Sequence, residues 1–308
     1  MNILVVRTDK LGDFITTLPA IYVLKKYDKK NKIIVCVSPI NTKLALACKF
    51  IDEVIVDDGC SMRELVQKFK NAKVDVSITM FSNIRVALAQ FLARIPLRIA
   101  PATKIAQIFY NKRVTQRRSQ VKMAEFEYNL QLTKALFKDI DLSYKTPLLE
   151  VDSLVEDNKN KVCFHVGFGG SSDANWTLDE YEVLIKIVMK KYDVVLTFGP
   201  DEVELSQNMK NRFKDCEITI YISQNGLVEF ARYISNFKLF ISTSTGTYHL
   251  ASLVGTPTLT FFADSLFASS ARWKAVGDES IQEHLMIPQD KNKRDELFEV
   301  VKKELISL

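Results

Sequence analysis

The pattern in which hydrophobic residues recur changes repeatedly along the chain. Short runs of β-branched and apolar residues, typical of buried strands, alternate with segments whose apolar residues recur every three to four positions, as in helices. In the first half, strands are predicted at residues 3–6, 32–37, 53–56 and 74–79, each followed by a helix, at residues 14–26, 42–48, 62–69 and 84–93. This alternation favours a parallel sheet covered by helices.

The second half repeats the alternation after a polar stretch at residues 141–160. Its predicted strands are 161–166, 193–198, 217–222, 239–242 and 258–262, and its predicted helices are 177–190, 202–213, 227–236, 247–254 and 294–306. The sequence therefore predicts an α/β fold with two Rossmann-like domains, at residues 1–150 and 151–290, that face an interdomain cleft. Residues 291–308 are expected to pack back toward the N-terminal domain as a terminal helix.

Composition narrows the class of protein. The chain has 308 residues, of which 47% are hydrophobic and 26% charged, as in ordinary globular proteins. No apolar stretch approaches the roughly 18 residues of a membrane span, and the N-terminal run is too short for a signal peptide. We expect a cytoplasmic protein with, at most, peripheral contact with the inner face of the inner membrane. Five cysteines without a Cys/His cluster predict no metal site.

Charge is divided unevenly between the two halves. Residues 1–150 hold 25 basic and 14 acidic side chains, a net charge of +11, whereas residues 151–308 hold 17 and 23, a net charge of −6. Residues 76–124 include no acidic side chain and nine basic ones, which are Arg85, Arg94, Arg98, Lys104, Lys112, Arg113, Arg117, Arg118 and Lys122. Such a field attracts phosphate, carboxylate or an anionic surface, and the alternative is a solvated basic face without a partner.

The loops that follow the predicted strands are the candidate sites, because ligands of open α/β sheets bind beyond the carboxyl ends of the strands. The first loop, RTDKLGDF at residues 7–14, lacks the GxGxxG pattern of dinucleotide-binding enzymes. Asp13 lies where the strand gives way to a helix. Its carboxylate is either a helix N-cap or a general base directed into the cleft.

Three loops of the second half suit a nucleotide. HVGFGGSSDANW at 165–176 offers glycines and hydroxyls to a phosphate, and STSTGTYH at 242–249 places hydroxyls, a glycine and His249 at the positive end of a helix dipole. FGPDE at 198–202 places Glu202 where a carboxylate can accept from both ribose hydroxyls. With the base expected against residues 223–225, the predicted donor-binding residues are Gly169, Gly170, Ser171, Ser172, Glu202, Asn225, Ser244, Thr245, Gly246, Thr247 and His249.

Taken in order, four segments resemble glycosyltransferase family 9, the heptosyltransferases of lipopolysaccharide inner-core assembly. They are RTDKLGDFITTLPA at 7–20, HVGFGG followed by NW within 165–176, FGPDE at 198–202, and STGTYHLASLVGTPTLTFF at 244–262. The resemblance implies the two-domain fold called GT-B, and an inverting reaction that uses no metal and no cofactor. It also implies a catalytic aspartate in a Gly-Asp pair, which here is Gly12-Asp13.

Two positions depart from the family pattern. Heptosyltransferases commonly have a lysine just ahead of the tryptophan of the second motif, where this chain has Ala174 and Asn175. They also commonly have Asp-Thr-Gly in the third motif, where this chain has Ser244-Thr245-Gly246. Both changes remove groups expected to hold the donor, which leaves backbone N–H groups, hydroxyls and His249 to stabilise the diphosphate.

The resemblance thus implies transfer of a heptose-like sugar from a nucleoside diphosphate donor, ADP-heptose or a similar compound, to a lipopolysaccharide or lipooligosaccharide core acceptor. The predicted acceptor-binding residues are Lys10, Arg85, Arg117 and Arg118. A nucleotide-sugar epimerase of the same fold is one alternative, although it needs no basic surface for an anionic acceptor. A non-enzymatic nucleic-acid-binding protein is another, although no recognisable nucleic-acid motif accompanies the basic run.

Overall fold

The computed structural model describes residues 1–103, 105–154, 159–168 and 175–308, which form two compact units, Met1–Leu148 and Leu149–Leu308. The sequence analysis placed this boundary two residues later. The strands of the N-terminal unit are β1 (Asn2–Arg7), β2 (Lys32–Val37), β3 (Glu53–Val56), β4 (Val76–Thr79), β5 (Leu97–Pro101) and β6 (Lys112–Val114). Its helices are α1 (Leu11–Ile15), α2 (Leu18–Tyr27), α3 (Thr42–Ala47), α4 (Met62–Asn71), α5 (Ile84–Leu92) and α6 (Glu125–Leu136).

The six strands of this unit form one parallel sheet in the order β3-β2-β1-β4-β5-β6. This is the Rossmann order, in which the chain reverses its direction of progress across the sheet between β1 and β4. The central strands pack against α4 and α5 through a hydrophobic core, to which they contribute Leu4, Val6, Ile34 and Cys36. The loop after β1 therefore lies at the edge where ligands of this fold bind.

The predicted helix 14–26 is two helices, α1 and α2. The Thr16 and Thr17 hydroxyls donate to the carbonyls of Asp13 and Phe14, at 2.7 and 2.6 Å, and so take acceptors that a continuous helix would use. Pro19 lacks an N–H group and occupies the first turn of α2, where none is needed. The break leaves Asp13 on a five-residue helix of its own.

Three elements of this unit were not predicted: β5, β6 and α6. β5 contains Arg98 and ends in a proline, and β6 is only three residues long, so neither resembles a buried strand. The buried face of α6 includes the polar residues Glu125, Asn129 and Thr133, so its sequence lacks the apolar spacing that predicts a packed helix. Burial of these side chains depends on partners that lie far away in the sequence.

The C-terminal unit repeats the same topology, with strand order β12-β11-β10-β7-β8-β9 and all pairs parallel. Its strands are β7 (Lys161–His165), β8 (Asp193–Phe198), β9 (Thr219–Ile222), β10 (Leu239–Thr243), β11 (Thr258–Ala263) and β12 (Gln282–Ile287). Its helices are α7 (Leu178–Val188), α8 (Val203–Arg212), α9 (Leu227–Ile234), α10 (Gly246–Leu253), α11 (Ser270–Trp273) and α12 (Lys291–Ser307). Here the progress of the chain reverses between β7 and β10. The predicted two-domain α/β fold is confirmed.

The terminal helix α12 belongs to the C-terminal unit. Val301 and Leu305 are buried in the core that α7 also covers, and Arg294 donates to both carboxylate oxygens of Glu180 at 3.0 and 2.7 Å. Its predicted packing toward the N-terminal domain stays a prediction. Among the described residues, every helix is too short or too polar to cross a membrane.

Candidate active site

Arg7 is the centre of the polar cluster at the end of β1. Its guanidinium is 2% exposed and meets three carboxylates. Nε donates to Asp9 Oδ1 at 2.7 Å, Nη1 donates to Glu125 Oε1 at 3.3 Å, and Nη2 donates to Asp13 Oδ1. The guanidinium carbon also lies 5.5 Å from the centroid of the Phe81 ring. Burial lowers the pKa of Arg7, but the three carboxylates outweigh it and raise that pKa, so the cation is permanent.

Asp13 is not a helix N-cap. That position of α1 belongs to Lys10, and Asp13 lies one turn further along, with its side chain turned to Arg7. Its other oxygen, Oδ2, accepts no hydrogen bond from any described residue, and one fifth of the side chain is exposed. The carboxylate is thus held through one oxygen and leaves the second free to accept a proton. This arrangement suits the general base that was the other interpretation of this residue.

Helix α6 contributes two buried polar residues, Glu125 and Asn129, to the cluster. Glu125, 2% exposed, accepts from Arg7 and from Arg118 Nη1 through the same oxygen. Asn129 accepts from Arg118 at 3.3 Å and donates to the Thr16 carbonyl at 3.0 Å, which fixes the end of α1. Glu125 and Asn129 were missed by the sequence analysis. Glu125 is 118 residues away from Arg7 and carries no local signal, whereas Arg7 itself could have been found as a lone cation ending a buried strand.

Burial, together with two neighbouring carboxylates, raises the pKa of Asp13. Burial is the largest cause, since it penalises the charged form, and Asp9 and Glu125 add like-charge repulsion. Arg7 acts in the opposite direction and does not cancel them. Among the described residues, the guanidinium groups of Arg7 and Arg118 face the carboxylates of Asp9, Asp13 and Glu125. A carboxylate with a raised pKa is a stronger base than an ordinary aspartate.

In the C-terminal unit, Glu202 lies at the edge formed by the ends of β7 and β8. Its Oε2 accepts the backbone N–H of Gly199 at 2.6 Å and lies 3.9 Å from His165 Nε2. His165 is buried, with Nδ1 3.2 Å from the Thr197 hydroxyl, and burial lowers its pKa although Glu202 partly opposes the shift. A neutral histidine therefore lies behind the carboxylate. A Cβ atom on Gly167 would lie 1.9 Å from Glu202 Oε1, so this glycine makes room for the carboxylate.

The third motif connects β10 to α10. Ser244 follows the strand, Thr245 takes the N-cap position, and Gly246 is the first helical residue. The Thr245 and Thr247 hydroxyls hydrogen bond to each other at 2.7 Å. Because Thr245 makes no side-chain cap, the first N–H groups of the helix receive no hydrogen bond from it. Two partly buried hydroxyls and the start of a helix thus lie next to each other at the switch point of this sheet, which is the place where the progress of the chain reverses between β7 and β10.

His249 is buried in α10, and its Nδ1 has no hydrogen-bond partner in the described part of the chain. Burial, followed by the proximity of His284, lowers the pKa of His249 to about 4. The ring is therefore neutral at pH 7. It can offer a diphosphate a neutral N–H donor but not a positive charge.

Other predicted donor residues are placed as follows. Residues 169–172 of the second motif, and Ala174, lie outside the described residues. Asn225 is exposed and donates to Glu229 Oε1 at 2.5 Å, so its amide is engaged in this structure. Asn175 accepts from the Tyr181 hydroxyl at 2.7 Å, and Trp176 packs against Phe298 of α12, so the NW pair is structural. Thr177 and Glu180 form a capping box at the start of α7.

Two of the predicted acceptor-binding residues in the basic run, Arg85 and Arg118, pair with carboxylates, and their role toward an acceptor stays a prediction. Arg118 is directed into the cluster, where it also donates to Gln116 Oε1 at 2.8 Å, because the buried Glu125 requires a counter-charge. Arg85 forms hydrogen bonds to Asp57, at 2.9 Å for the shortest, and to the Cys60 carbonyl. Lys10 and Arg117 are exposed, which leaves them accessible to an acceptor. Lys104 lies outside the described residues.

Comparison with known proteins gives the family. The family model described as "Glycosyltransferase family 9 (heptosyltransferase)" matches residues 62–299. A Haemophilus influenzae protein named "Putative glycosyltransferase" is 37% identical over 300 residues, covering 90% of this chain and 86% of that protein. "Lipooligosaccharide heptosyltransferase 2" of Campylobacter jejuni is 22% identical over 270 residues, covering 86% of this chain and 81% of its own length.

Solved structures agree on the fold. The Escherichia coli ADP-heptose lipopolysaccharide heptosyltransferase II superposes with a TM-score of 0.79 at 16% identity, covering all of this chain and 99% of its own. The two parallel six-stranded sheets match the GT-B architecture that the motifs implied. The family match favours transfer over the epimerase alternative. The chain belongs to glycosyltransferase family 9, and it is a glycosyltransferase.

Proposed function

We propose that this protein transfers a heptose-like sugar from a nucleoside diphosphate donor to a lipopolysaccharide or lipooligosaccharide core acceptor, without a metal and with inversion at the anomeric carbon. The observation that carries the proposal is Asp13, a carboxylate with a raised pKa and one free oxygen, at the switch point of the first sheet in a family 9 chain. The names of two similar proteins, a lipooligosaccharide and an ADP-heptose lipopolysaccharide heptosyltransferase, support the choice of donor and acceptor.

The reaction is a single displacement. The acceptor hydroxyl attacks the anomeric carbon, and its proton passes to Asp13 Oδ2. The bond between the anomeric carbon and the diphosphate oxygen breaks, and its electron pair leaves with the nucleoside diphosphate. Because attack and departure occur on opposite faces, the anomeric configuration inverts. Arg7 orients Asp13 through the other oxygen, and a positioned base of this kind contributes roughly 10²–10⁴-fold to the rate.

The donor is assigned to the C-terminal unit. The diphosphate is placed against the start of α10, where Thr245, Gly246 and Thr247 offer hydroxyls and N–H groups to the charge that develops on the leaving group. Glu202 is placed to accept from the ribose hydroxyls through the oxygen that faces Gly167. Gly169, Gly170, Ser171 and Ser172 complete the proposed phosphate site. His249, neutral and buried, stays a proposed donor of one hydrogen bond.

The acceptor is assigned to the N-terminal unit, near Asp13. Lys10 adjoins the loop that carries the base, and Arg117 is exposed on the segment that precedes α6. These two remain the proposed contacts to an anionic glycan. Arg118 is now proposed to act indirectly, by neutralising Glu125 behind Arg7, and Arg85 to hold α5 to the Asp57 loop.

Replacing Gly167 with alanine should weaken binding of ADP about tenfold, the scale of one lost hydrogen bond to a charged group. The new Cβ would overlap Glu202 Oε1, so the carboxylate must leave its position beside the ribose. Only a side-chain end moves, so the fold should be unaffected. Gly199→Ala is the matched control, because its Cβ would meet Glu202 at an ordinary 3.4 Å. Calorimetric titration with ADP gives the comparison, and equal affinities of the two variants would remove Glu202 from the donor site.

The proposal is tested by a transfer assay with ADP-heptose and a heptose-deficient core glycolipid. We expect the acceptor to gain the mass of one heptosyl unit while ADP appears in equal amount, with the product anomer inverted and the rate unchanged by EDTA. Conversion of the donor to an isomeric nucleotide sugar in the absence of acceptor would instead indicate an epimerase. Release of ADP without any gain of acceptor mass would contradict the proposal.

A further inference from the structure

Helix α5 exposes a stripe of apolar side chains that no other part of the described chain covers. Val86, Ala87, Ala89 and Gln90 form its buried face. On the opposite side, Ile84, Leu88, Phe91 and Leu92 follow the i, i+4, i+7, i+8 spacing of a single helical face, and three of the four are exposed. A surface helix normally carries polar residues there. This helix is apolar on both faces.

A short 3-10 helix, Ile105–Phe109, lies beside α5 and extends the stripe. Phe109 contacts Phe91, with ring centroids 5.7 Å apart. Ile105 and Ile108 are spaced three residues apart, which places them on the same side of a helix with three residues per turn, and they are 67% and 66% exposed. We call the six residues Ile84, Leu88, Phe91, Leu92, Ile105 and Ile108 the α5 surface. Exposed apolar side chains gathered in this way on two adjacent elements mark an interaction site rather than a tolerated exposure.

Basic side chains flank the α5 surface. Arg94 follows α5 directly, and Arg113 lies on the edge strand β6, in register with Ala100, which packs against Ala87 of α5. Both are exposed, and neither forms an ion pair with a described residue. Arg98 joins the two helices, because it donates to the Phe109 carbonyl at 2.8 Å and lies 5.5 Å from the centroid of the Phe91 ring. No acidic residue occurs anywhere between positions 76 and 124.

We propose that the α5 surface docks this protein on an anionic lipid bilayer. The apolar side chains would enter the boundary between headgroups and acyl chains, while Arg94 and Arg113 contact the negative headgroups around them. Charge complementarity selects this partner over a second copy of the chain. In a two-fold dimer the same surface faces itself, which would bring the unpaired basic side chains of the two copies together.

Vesicle sedimentation without any substrate tests this docking independently of the transfer reaction. Wild-type protein should bind vesicles of phosphatidylethanolamine and phosphatidylglycerol, bind phosphatidylcholine vesicles at least tenfold more weakly, and lose affinity as salt is added. The Ile105→Glu/Ile108→Glu variant should lose at least tenfold in affinity for the anionic vesicles. Arg94→Gln/Arg113→Gln should lose affinity and most of the salt response.

The matched control is Val300→Glu/Ile306→Glu, which replaces two exposed apolar residues on α12 with the same two charges. It should bind anionic vesicles like the wild type. Melting temperatures of all variants exclude damage to the fold. Wild-type binding by Ile105→Glu/Ile108→Glu would overturn the proposal, as would equal loss in the control. A concentration-dependent dimer that this variant abolishes, without vesicle binding by the wild type, would assign the α5 surface to self-association instead.

Discussion

Replacing Asp13 with asparagine should lower the turnover of sugar transfer by about a hundredfold or more, the scale of one lost general base, while affinity for the nucleoside diphosphate stays unchanged. Asparagine keeps the shape and can still accept from Arg7 through Oδ1, but its amide cannot take the acceptor proton. The fold should persist, because Arg7 retains Asp9 and Glu125 as partners. Steady-state kinetics together with calorimetric titration of the donor product separate the two effects.

Asp9→Asn is the control that the cluster itself provides. Asp9 binds the same guanidinium, at 2.7 Å from Nε, and its side chain is similarly exposed, so this variant removes an equal charge from a comparable place beside Arg7. We expect it to retain turnover at pH 7 within a few fold. If Asp9→Asn and Asp13→Asn were impaired alike, the effect would come from the charge balance around Arg7. Near-normal turnover of a folded Asp13→Asn protein would exclude Asp13 as the base.

The second large effect is expected from Gly246→Val, which should weaken nucleoside diphosphate binding at least about tenfold and by more than any other single change in the third motif. Gly246 opens α10 and its φ lies outside the left-handed region, so valine strains nothing in the backbone. The branched side chain instead obstructs the approach of a phosphate to the first N–H groups of the helix. Titration with ADP measures the loss.

Thr245→Ala and His249→Ala should each weaken ADP binding, but less than Gly246→Val. Each removes one neutral hydrogen-bonding group and leaves the helix N–H groups accessible. His249 supplies no positive charge at pH 7, since its pKa lies at about 4, and a single neutral hydrogen bond is worth about 1 kcal/mol. Unchanged ADP affinity in all three variants would place the diphosphate elsewhere.

Much of the fold and the position of the site could be predicted from local patterns. Strands such as Lys32–Val37 and Thr258–Ala263 are short apolar runs, and the loops after β1, β7 and β10 carried the unusual residues. The parallel order then brings such loops to the switch points of the two sheets without any knowledge of long-range contacts. Asp13 and Gly246 were found in this way.

The cluster behind Asp13 could not be predicted in the same way. Glu125 contacts Arg7 and Arg118 only because α6 packs beside the first sheet, and nothing near residue 125 in the sequence indicates this partnership. The same contact explains why Arg118 lies in the cluster and not on a solvated basic face. The distribution of charges along the sequence does not show which basic side chains are solvated. A buried carboxylate such as Glu125 requires a cation beside it, and here that cation is Arg118.

Asp13 is the proposed base and its neighbours set its pKa, and the pH dependence of kcat/KM for the acceptor tests both points most directly. Only ionised Asp13 can accept a proton, so the wild-type rate should fall as pH drops through a value above the usual one of about 3.9 for aspartate. Asp9 and Glu125 both raise that pKa. Asp9→Asn and the isosteric Glu125→Gln should therefore each move the acid limb to lower pH. An acid limb at the wild-type position in both variants would contradict the assignment of Asp13 as the base.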